Sequence, residues 1–552
     1  MRKHLGKLCA IGLVAMLAVF ALAGCGGSGS SSAAASGSAS AASDSAASAS
    51  GSAAAATAQG GTLKFGCQNF SSGGIDPAVE TNTAWNSSRY GILETLFKFN
   101  DDVQVVSCLA DADNYTVSDD HKKWTFNIIS GNKFSSGADV TPSAVKASID
   151  RLYEAGASGS TKPEQFLEKD AKITADDAAG TITIETKTAY PDLRANLADP
   201  AFGIVDVENT KDFTNGIIGT GPYMVDSFTP DVGYTLKANP NYREPVPFET
   251  VELKYMDDAQ AKANALLAGD IDMANDVANK SALEELKANA DFTVNIANGT
   301  RTGFAWVNFN KILKNDALRQ AVMMGIDGQT VDDVTLGGLY GYGYSVLPSN
   351  LPFNYDKLTY KYGYDKEAAM KLLDDAGIKD SDGDGIRELD GQPVKLVWVT
   401  YENRGLGDIA EAGKQLLAEI GIDVDLQVVD SQKNWDLMVS GDYDLLSQNW
   451  NVYIAGSPDT YLGNWDKGNE ANYCGYENEE YSKAYKALQT EMDADKRLEL
   501  ITTMQQCLLD DAAALVHGYY TASMISNSKT VANAPVHPLD YYWLTTEVTP
   551  AA

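Results

Sequence analysis

The feature that most constrains this chain is a low-complexity stretch near its start. Between Gly26 and Gly60 every residue is Gly, Ser, Ala or Thr, except Asp44 and Gln59. Such a segment cannot bury enough apolar surface to offset the entropy lost on ordering, so the composition predicts a disordered tether. A folded body is therefore expected only from about residue 61 onward.

The residues before the tether have the layout of an export signal. Arg2, Lys3 and Lys7 precede an apolar run from Leu8 to Leu22. A run of roughly 15 residues is too short to span a hydrocarbon core of about 30 Å, so it predicts a signal peptide and not a membrane helix. The sequence has no other long apolar run, and no transmembrane helix is expected.

The apolar run ends in Leu22-Ala23-Gly24-Cys25, which resembles a bacterial lipobox. In that class of signals the chain is cut just before the Cys, whose thiol is diacylated and which becomes the mature N-terminus. The resemblance implies a signal peptide over residues 1–24, followed by lipidated Cys25 and the tether over residues 25–60. The alternative is an ordinary secretory signal in which Cys25 occurs by chance.

Charge and cysteine content restrict the partners and the chemistry. The chain of 552 residues has 43 Lys+Arg against 75 Asp+Glu, a formal net charge of −32. So acidic a surface repels phosphate, which argues against a nucleic-acid partner. Beyond Cys25 the cysteines are Cys67, Cys108, Cys474 and Cys507. Outside the cytosol they have three possible disulfide pairings, or they stay as buried thiols, and the sequence does not choose.

Short motifs for enzymes and metal sites are missing from the sequence. It has no HExxH or CxxC pair, no GxSxG, no P-loop, and no GxGxxG between a strand and a helix. The acids Asp380, Asp382 and Asp384 have the spacing of a calcium loop, but its twelfth position is Gly391 where a bidentate Glu is expected. We interpret this segment as a polar hairpin loop, and we expect neither catalysis nor a metal or cofactor.

Strands and helices alternate through the body. A strand at 251–255 precedes a helix at Ala259–Ala268, and a strand at 304–309 precedes a helix at 317–324. The same alternation recurs over 394–449. It predicts α/β lobes with largely parallel sheets. At roughly 100–200 residues per domain, the length predicts two or three lobes.

A series of short motifs runs from about residue 61 to the end of the chain. In chain order they include Gly61-Thr62-Leu63, Ile75-Asp76-Pro77-Ala78, Thr141-Pro142, Gly219-Thr220-Gly221-Pro222-Tyr223, Asn239-Pro240-Asn241-Tyr242, Gly269-Asp270-Ile271-Asp272 and Leu318-Arg319-Gln320-Ala321-Val322. Their order and spacing resemble the family-5 extracellular solute-binding proteins of ABC importers, the dipeptide, oligopeptide and nickel-binding group.

The resemblance implies an α/β, two-lobed Venus-flytrap fold of the periplasmic-binding-protein type. The first lobe would occupy residues 61–305, with an extra subdomain at about 100–215. The second lobe would occupy 306–520, and 521–552 would return to the first lobe. A cleft between lobes suits solute capture, because closure buries most of a small molecule's surface.

The same resemblance implies a function. The chain would be a membrane-anchored extracellular substrate-binding protein, a monomer on the extracytoplasmic face of the cell membrane, facing the periplasm or the wall. It would capture a solute, with a peptide as the favoured cargo, and deliver it to an ABC permease and its ATPase subunits. The alternatives are the same fold binding a nickel chelate, haem or an oligosaccharide, and a secreted hydrolase.

The segment 449–461 lies where this family lines its cleft. In the peptide binders, an Asp three residues after a Trp holds the ligand's amino terminus, but here Trp450 is followed at that offset by Tyr453. Trp450 and Tyr453 are expected to form one wall of the cleft, with core packing as the alternative for Trp450. Asp459 is the nearby acid that would replace the missing one.

Arg404 comes just after a strand that ends near Thr400. Open α/β sheets place ligands at the carboxyl ends of their strands. The dipeptide binders keep an Arg near this point for the ligand carboxylate, so the resemblance implies that role for Arg404; a surface Arg paired with Glu402 is the alternative. Tyr342, in an aromatic run, resembles the family's flexible cleft loop, with plain aromatic packing as the alternative.

Overall fold

A computed structural model describes residues 60–69, 73–155 and 163–552. The predicted signal peptide, Cys25 and almost all of the tether lie outside the described residues. Within the described ranges, no helix is both long and apolar enough to cross a membrane.

Strands account for most of the scaffold in the described part of the chain. In chain order they are β1 Gly60–Cys67, β2 Phe97–Phe99, β3 Val105–Ser107, β4 Ala110–Val117, β5 Lys123–Ile128, β6 Lys172–Asp176, β7 Thr181–Glu185, β8 Tyr223–Thr229, β9 Gly233–Ala238, β10 Phe248–Tyr255, β11 Met273–Asn275, β12 Phe292–Val307, β13 Tyr340–Gly341, β14 Glu388–Leu389, β15 Gln392–Pro393, β16 Lys395–Thr400, β17 Asp423–Val428, β18 Leu445–Asn451, β19 Ala514–Asn527, β20 Val531–Asn533 and β21 Thr549–Pro550.

The α-helices pack around these strands. In chain order they are α1 Thr81–Arg89, α2 Pro142–Ala155, α3 Leu193–Asn196, α4 Ala259–Ala268, α5 Lys280–Ala288, α6 Asp316–Met324, α7 Gly328–Thr330, α8 Lys366–Asp375, α9 Leu406–Ala418, α10 Ser431–Ser440, α11 Asp459–Leu462, α12 Glu479–Leu488 and α13 Ala494–Asp510.

Helix α4 shows why these segments begin and end where they do. Its N-cap Asp258 accepts a hydrogen bond from the N–H of Ala261, which satisfies an otherwise unpaired donor of the first turn. Its C-cap Gly269 has φ 76°, a left-handed conformation that glycine adopts without a Cβ clash. Because both signals are local, the predicted range of this helix is the observed one.

The largest sheet in the described part of the chain has eleven strands, in the order β17-β16-β18-β12-β19-β11-β1-β10-β9-β8, with β13 beside β19. We call its two ends the β16 half and the β1 half. Strand β1 is parallel to β10 and β11, and β16 is parallel to β17 and β18. The centre and the β8-β9-β10 edge are antiparallel. The sheet is therefore more mixed than the predicted, largely parallel one, because hairpins join neighbours directly.

Two long strands join the halves. β12 and β19 pair antiparallel from Phe292 opposite Asn527 to Trp306 opposite Ala514. Strand β11 continues the sheet from β19, and β18 continues it from β12. The register shifts between Asn298 and Arg301, a bulge that increases local twist and changes where side chains point. The proposed lobe boundaries at 305/306 and 520/521 fall within these two strands and stay predictions.

A smaller sheet, β4-β5-β7-β6, packs with α2 and forms a unit that we call the subdomain. Its core is continuous with that of the β16 half, since one apolar cluster contains Trp124 of the subdomain together with Trp306 and Trp465. Burial of such large rings, at about 25 cal/mol per Å², is the main attraction between these layers.

The structure shows which state the four cysteines have. Within the described residues, Cys67, Cys108, Cys474 and Cys507 are all free and buried, and no disulfide links them. Of the two alternatives left open by the sequence, the structure has the four thiols. Desolvation raises the pKa of Cys67 and of Cys474 to about 12, so these sulfurs stay protonated and pack as small apolar groups.

Candidate ligand cleft

A narrow cavity lies beside the bulge of β12, between the two halves of the large sheet. Its charged lining residues are Asp276, Arg301, Arg404 and Asp540. The cavity has a volume of about 30 Å³, which is room for roughly two water molecules.

Arg404 is held in an unusual backbone conformation. It follows β16 with φ 56°, in the left-handed region, which costs a non-glycine residue on the order of 1 kcal/mol and persists only when the surroundings fix it. Its carbonyl accepts a hydrogen bond of 3.0 Å from the hydroxyl of Tyr340. Tyr340 comes from the aromatic run next to Tyr342 and is fully buried. Strain of this kind is typical of binding sites.

The side chain of Arg404 is buried, with 9% exposed, so it is not a surface arginine. Its Nε lies 3.9 Å from Oδ2 of Asp276, and its guanidinium carbon lies 5.3 Å from the centre of the Tyr520 ring. Burial alone would lower the pKa of Arg404, but the carboxylate of Asp276 raises it above its usual value. The guanidinium is therefore a permanent cation facing the cavity.

Asp276 follows β11, also at the carboxyl end of a strand, and has φ 55°. Its Oδ1 accepts a hydrogen bond of 2.5 Å from the hydroxyl of Tyr520. Lys262 does not line the cavity, but its Nζ donates to the carbonyls of Asn275 and Asp276, at 2.8 and 3.2 Å. Burial lowers the pKa of Lys262. This clamp fixes the loop that carries Asp276.

Asp540 is bound by a third arginine. Arg89, on α1, donates from Nη2 to Oδ2 at 2.5 Å and from Nε to the carbonyl of Asp540 at 2.8 Å. Nε1 of Trp543 donates to Oδ1 at 3.0 Å. Burial raises the pKa of Asp540, but Arg89, Arg301 and Arg404 together lower it below its usual value. This carboxylate is therefore ionised and already well bonded.

Arg301 comes directly after the bulge, and its side chain is bonded more weakly than that of Arg89. Nη1 donates to the carbonyl of Asn449 at 3.3 Å, and Nη2 lies 3.9 Å from Oδ2 of Asp540. Burial, and then the neighbouring cation of Arg404, lower the pKa of Arg301 to about 10. Sequence reasoning missed Arg301, Asp276 and Asp540, although the strand-end rule that indicated Arg404 applies equally to Asp276.

Tyr453 lies away from the cavity. Its hydroxyl donates to the carbonyl of Val103 at 3.3 Å, and its ring centre is 6.0 Å from those of Phe99 and Phe353. Val103 has φ 61°, which is rare for a β-branched residue. Tyr453 thus joins the β16 half to the loop between β2 and β3, which is a packing role for a residue predicted to line the cleft.

The remaining predicted residues are also outside the cavity. Trp450 packs edge-on against Phe304 and Trp306, at 5.9 and 5.6 Å between ring centres. Asp459 pairs with Arg497 at 2.5 Å beside a separate, open groove. Tyr342 is 46% exposed. Of the five predicted ligand-binding residues, Arg404 alone lines the cavity.

A group of carboxylates that could hold a metal ion lies elsewhere, in the hairpin loop before β14. Among the described residues, the nearest ligand oxygens of Asp380, Asp382, Asp384 and Glu388 are all within 4.8 Å of one another. The three Asp are exposed and none of the four lines the cavity. The predicted polar hairpin loop is present, with β14 and β15 as its short strands.

Sequence comparison gives the family. The model of the family described as "Bacterial extracellular solute-binding proteins, family 5 Middle" matches residues 104–473. The probable D,D-dipeptide-binding periplasmic protein DdpA of Escherichia coli (strain K12) is 27% identical over 458 residues, which are 80% of this chain and 85% of DdpA. The oligopeptide-binding protein AppA of Bacillus subtilis (strain 168) is 30% identical over 252 residues, 43% of this chain and 46% of AppA.

Solved structures share the fold. NikA from Brucella suis in complex with Fe(III)-EDTA has a TM-score of 0.79 at 21% identity, covering 89% of this chain and 99% of that one. AppA from Bacillus subtilis in complex with a nonapeptide has a TM-score of 0.69 at 20% identity, covering 90% and 100%. The predicted two-lobed α/β fold is confirmed. Because the family match spans well over half of its length, this chain belongs to the family-5 extracellular solute-binding proteins, the substrate-binding components that work with the permease and ATPase subunits of ABC importers.

Proposed function

We propose that this chain captures a peptide with a free carboxylate and delivers it to its ABC permease. The observation that carries the proposal is Arg404, a buried cation at the end of β16 that faces the cavity between the halves. A planar guanidinium binds a carboxylate through two parallel, charge-assisted hydrogen bonds. The names of relatives support a peptide, since DdpA is named for D,D-dipeptides and the AppA structure holds a nonapeptide.

Capture requires the halves to separate. A cavity of about 30 Å³ is too small for a dipeptide, so a solute enters an open form and is enclosed on closure. The Nε of Arg404 lies 3.9 Å from Oδ2 of Asp276, beyond hydrogen-bonding range. A ligand carboxylate that bonds to Arg404 would lie closer to the guanidinium than Oδ2 of Asp276 lies to its Nε.

A synthetic tripeptide library tests the cargo. Half of the library carries free carboxylates and half carries carboxyl amides, and the purified protein is incubated with it and separated by gel filtration. Mass spectrometry of the retained peptides should show the free carboxylates enriched at least tenfold, because only they satisfy Arg404. Retention of no peptide, or equal retention of the amides, would show that the cargo is not a carboxylate-bearing peptide.

We also infer that the protein binds its solute without altering it, because the matching family and relatives are named for binding. The same retained peptides provide the check. Their masses after overnight incubation should equal those of the input, and cleaved products would indicate a hydrolase.

The anchor is proposed from the lipobox-like sequence before Cys25. Two acyl chains on this Cys would hold the protein stably at the membrane, since each buried CH₂ contributes about 0.8 kcal/mol and a single chain binds only marginally. We expect Cys25→Ala to leave a folded protein that no longer partitions into the detergent phase of a Triton X-114 separation. Partitioning equal to that of the wild type would contradict the anchor. Cys9→Ala, upstream in the signal, is the matched control and should change nothing.

A further inference from the structure

The cavity has more positive than negative charge, although the chain as a whole has a formal net charge of −32. Among the described residues, the ionised side chains that line the cavity, or that pair with a carboxylate of its lining, are Arg89, Arg301, Arg404, Asp276 and Asp540. Three cations therefore meet two anions. In a buried site, an excess of one positive charge strongly favours ligands of negative charge.

Neighbouring titratable groups do not remove the excess. His537 lines the cavity, but burial lowers its pKa, so it is neutral at pH 7. Lys262 lies behind the loop of Asp276 and adds a further cation, which exposed Asp257 offsets electrostatically. The surplus thus remains with the arginines that face the cavity.

Arg301 is bonded less completely than Arg89, which donates twice to Asp540. Its Nη1 bond is to a neutral carbonyl, its Nη2 is 3.9 Å from Asp540, and its buried Nε has no hydrogen-bond partner among the described residues. On the same cavity wall, buried Oδ1 of Asn275 also has none among them. Buried polar atoms are rarely left unpaired. One donor and one acceptor of the cavity lining are therefore left without a partner among the described residues, and both are available to a ligand.

The two arginines are positioned by one chain of hydrogen bonds. The hydroxyl of Tyr340 donates to the carbonyl of Arg404, Nδ2 of Asn449 donates to that hydroxyl, and the carbonyl of Asn449 accepts from Arg301. Gly303 permits this packing, since a Cβ there would lie 2.5 Å from the ring of Tyr340. This chain of bonds links the backbone of Arg404 to the guanidinium of Arg301, and both residues line the one cavity.

We propose that Arg301 is a second anion-binding residue of the cleft and that the natural solute carries a net negative charge. Its carboxylate is shared by Arg301 and Arg404, and an N–H or O–H group of the solute donates to Oδ1 of Asn275. The inference rests on the proposed function and narrows its cargo to peptides whose amino terminus is blocked or whose side chains are acidic. Asp540 is bonded to Arg89, and one oxygen of Asp276 accepts from Tyr520. The surplus of arginines around these two carboxylates disfavours a free ammonium.

The first test needs no ligand. Arg301→Met keeps most of the side-chain volume and removes an under-neutralised buried cation, so the melting temperature of the ligand-free protein should rise by about 2 °C. Arg319→Met is the matched control, because the side chain of Arg319 is also largely inaccessible, 5% exposed against 13% for Arg301, but bonds fully to the carbonyls of Asp511 and Leu313 and to Asp316. Its melting temperature should fall. A fall for Arg301→Met as well would show that Arg301 is structural and would overturn the proposal.

The second test uses the tripeptide library with half of its peptides acetylated at the amino terminus. In the wild type, acetylated and acidic peptides should be retained about tenfold more than cationic ones, and Arg301→Met should abolish this preference. Retention of cationic peptides, or the same preference in both proteins, would overturn the proposal. If no peptide is retained but Arg301→Met raises the melting temperature, the anion site is supported and the peptide cargo is refuted.

Discussion

Arg404→Ala should weaken the binding of a peptide with a free carboxylate on the order of 100-fold, or about 2.7 kcal/mol. The loss is large because a charge-assisted bond in a buried site contributes about 1.5–3 kcal/mol, and truncation leaves the ligand carboxylate without its main partner. The carboxyl amide of the same peptide should bind the variant and the wild type about equally. Calorimetry on the two forms of one retained peptide measures both effects.

Arg497→Ala is the matched control for this experiment. Arg497 pairs with Asp459 beside the open groove and does not line the cavity, so its loss should change neither affinity. Equal weakening of the carboxylate and the amide by Arg404→Ala would mean that Arg404 shapes the cleft without touching the carboxylate.

Arg89→Ala should lower the free energy of unfolding by about 3–5 kcal/mol. Its side chain is fully buried, donates twice to Asp540, and lies 5.2 and 4.7 Å from the ring centres of Trp85 and Trp543. Removing it opens a cavity and leaves the partly buried carboxylate of Asp540 with Nε1 of Trp543 and, at 3.9 Å, with Arg301. Chemical denaturation followed by tryptophan fluorescence gives the change.

An exposed ion pair is the control for Arg89→Ala. Lys371 and Asp375 lie one helical turn apart on α8, with both side chains more than half exposed, so Lys371→Ala should leave stability unchanged within error. If Arg89→Ala were equally silent, the Arg89–Asp540 contact would not hold α1 to the end of the chain.

Local signals allowed much of the fold to be predicted, and they failed where tertiary contacts overrule them. The caps of α4 are both encoded within a few residues, so its bounds were predictable. Strand β12 was predicted over 304–309 but runs over Phe292–Val307. Asn298-Gly299 has the composition of a turn, yet pairing with β19 carries the strand through it as a bulge. A pattern of neighbours along the chain does not reveal such pairing.

The residues of the cleft also differ in how far the sequence predicts them. Arg404 was found by its place after a strand, a local feature. Arg301 lies within a strand and Asp540 lies near the end of the chain. Only the folded structure brings the two residues to one cavity. The family resemblance predicts that Tyr453 lines the cleft, but its hydroxyl contacts Val103, 350 residues earlier. Such contacts depend on the packing of the subdomain against the β16 half, which no segment encodes alone.

Closure of the two halves around a carboxylate-bearing peptide is tested most directly by small-angle X-ray scattering. A ligand shifts the balance between open and closed forms only by its preference for the closed one. With a peptide retained from the library at saturation, the radius of gyration of the wild type should fall, whereas that of Arg404→Ala at the same peptide concentration should not. A scattering curve of the wild type that saturating peptide leaves unchanged would contradict capture by closure.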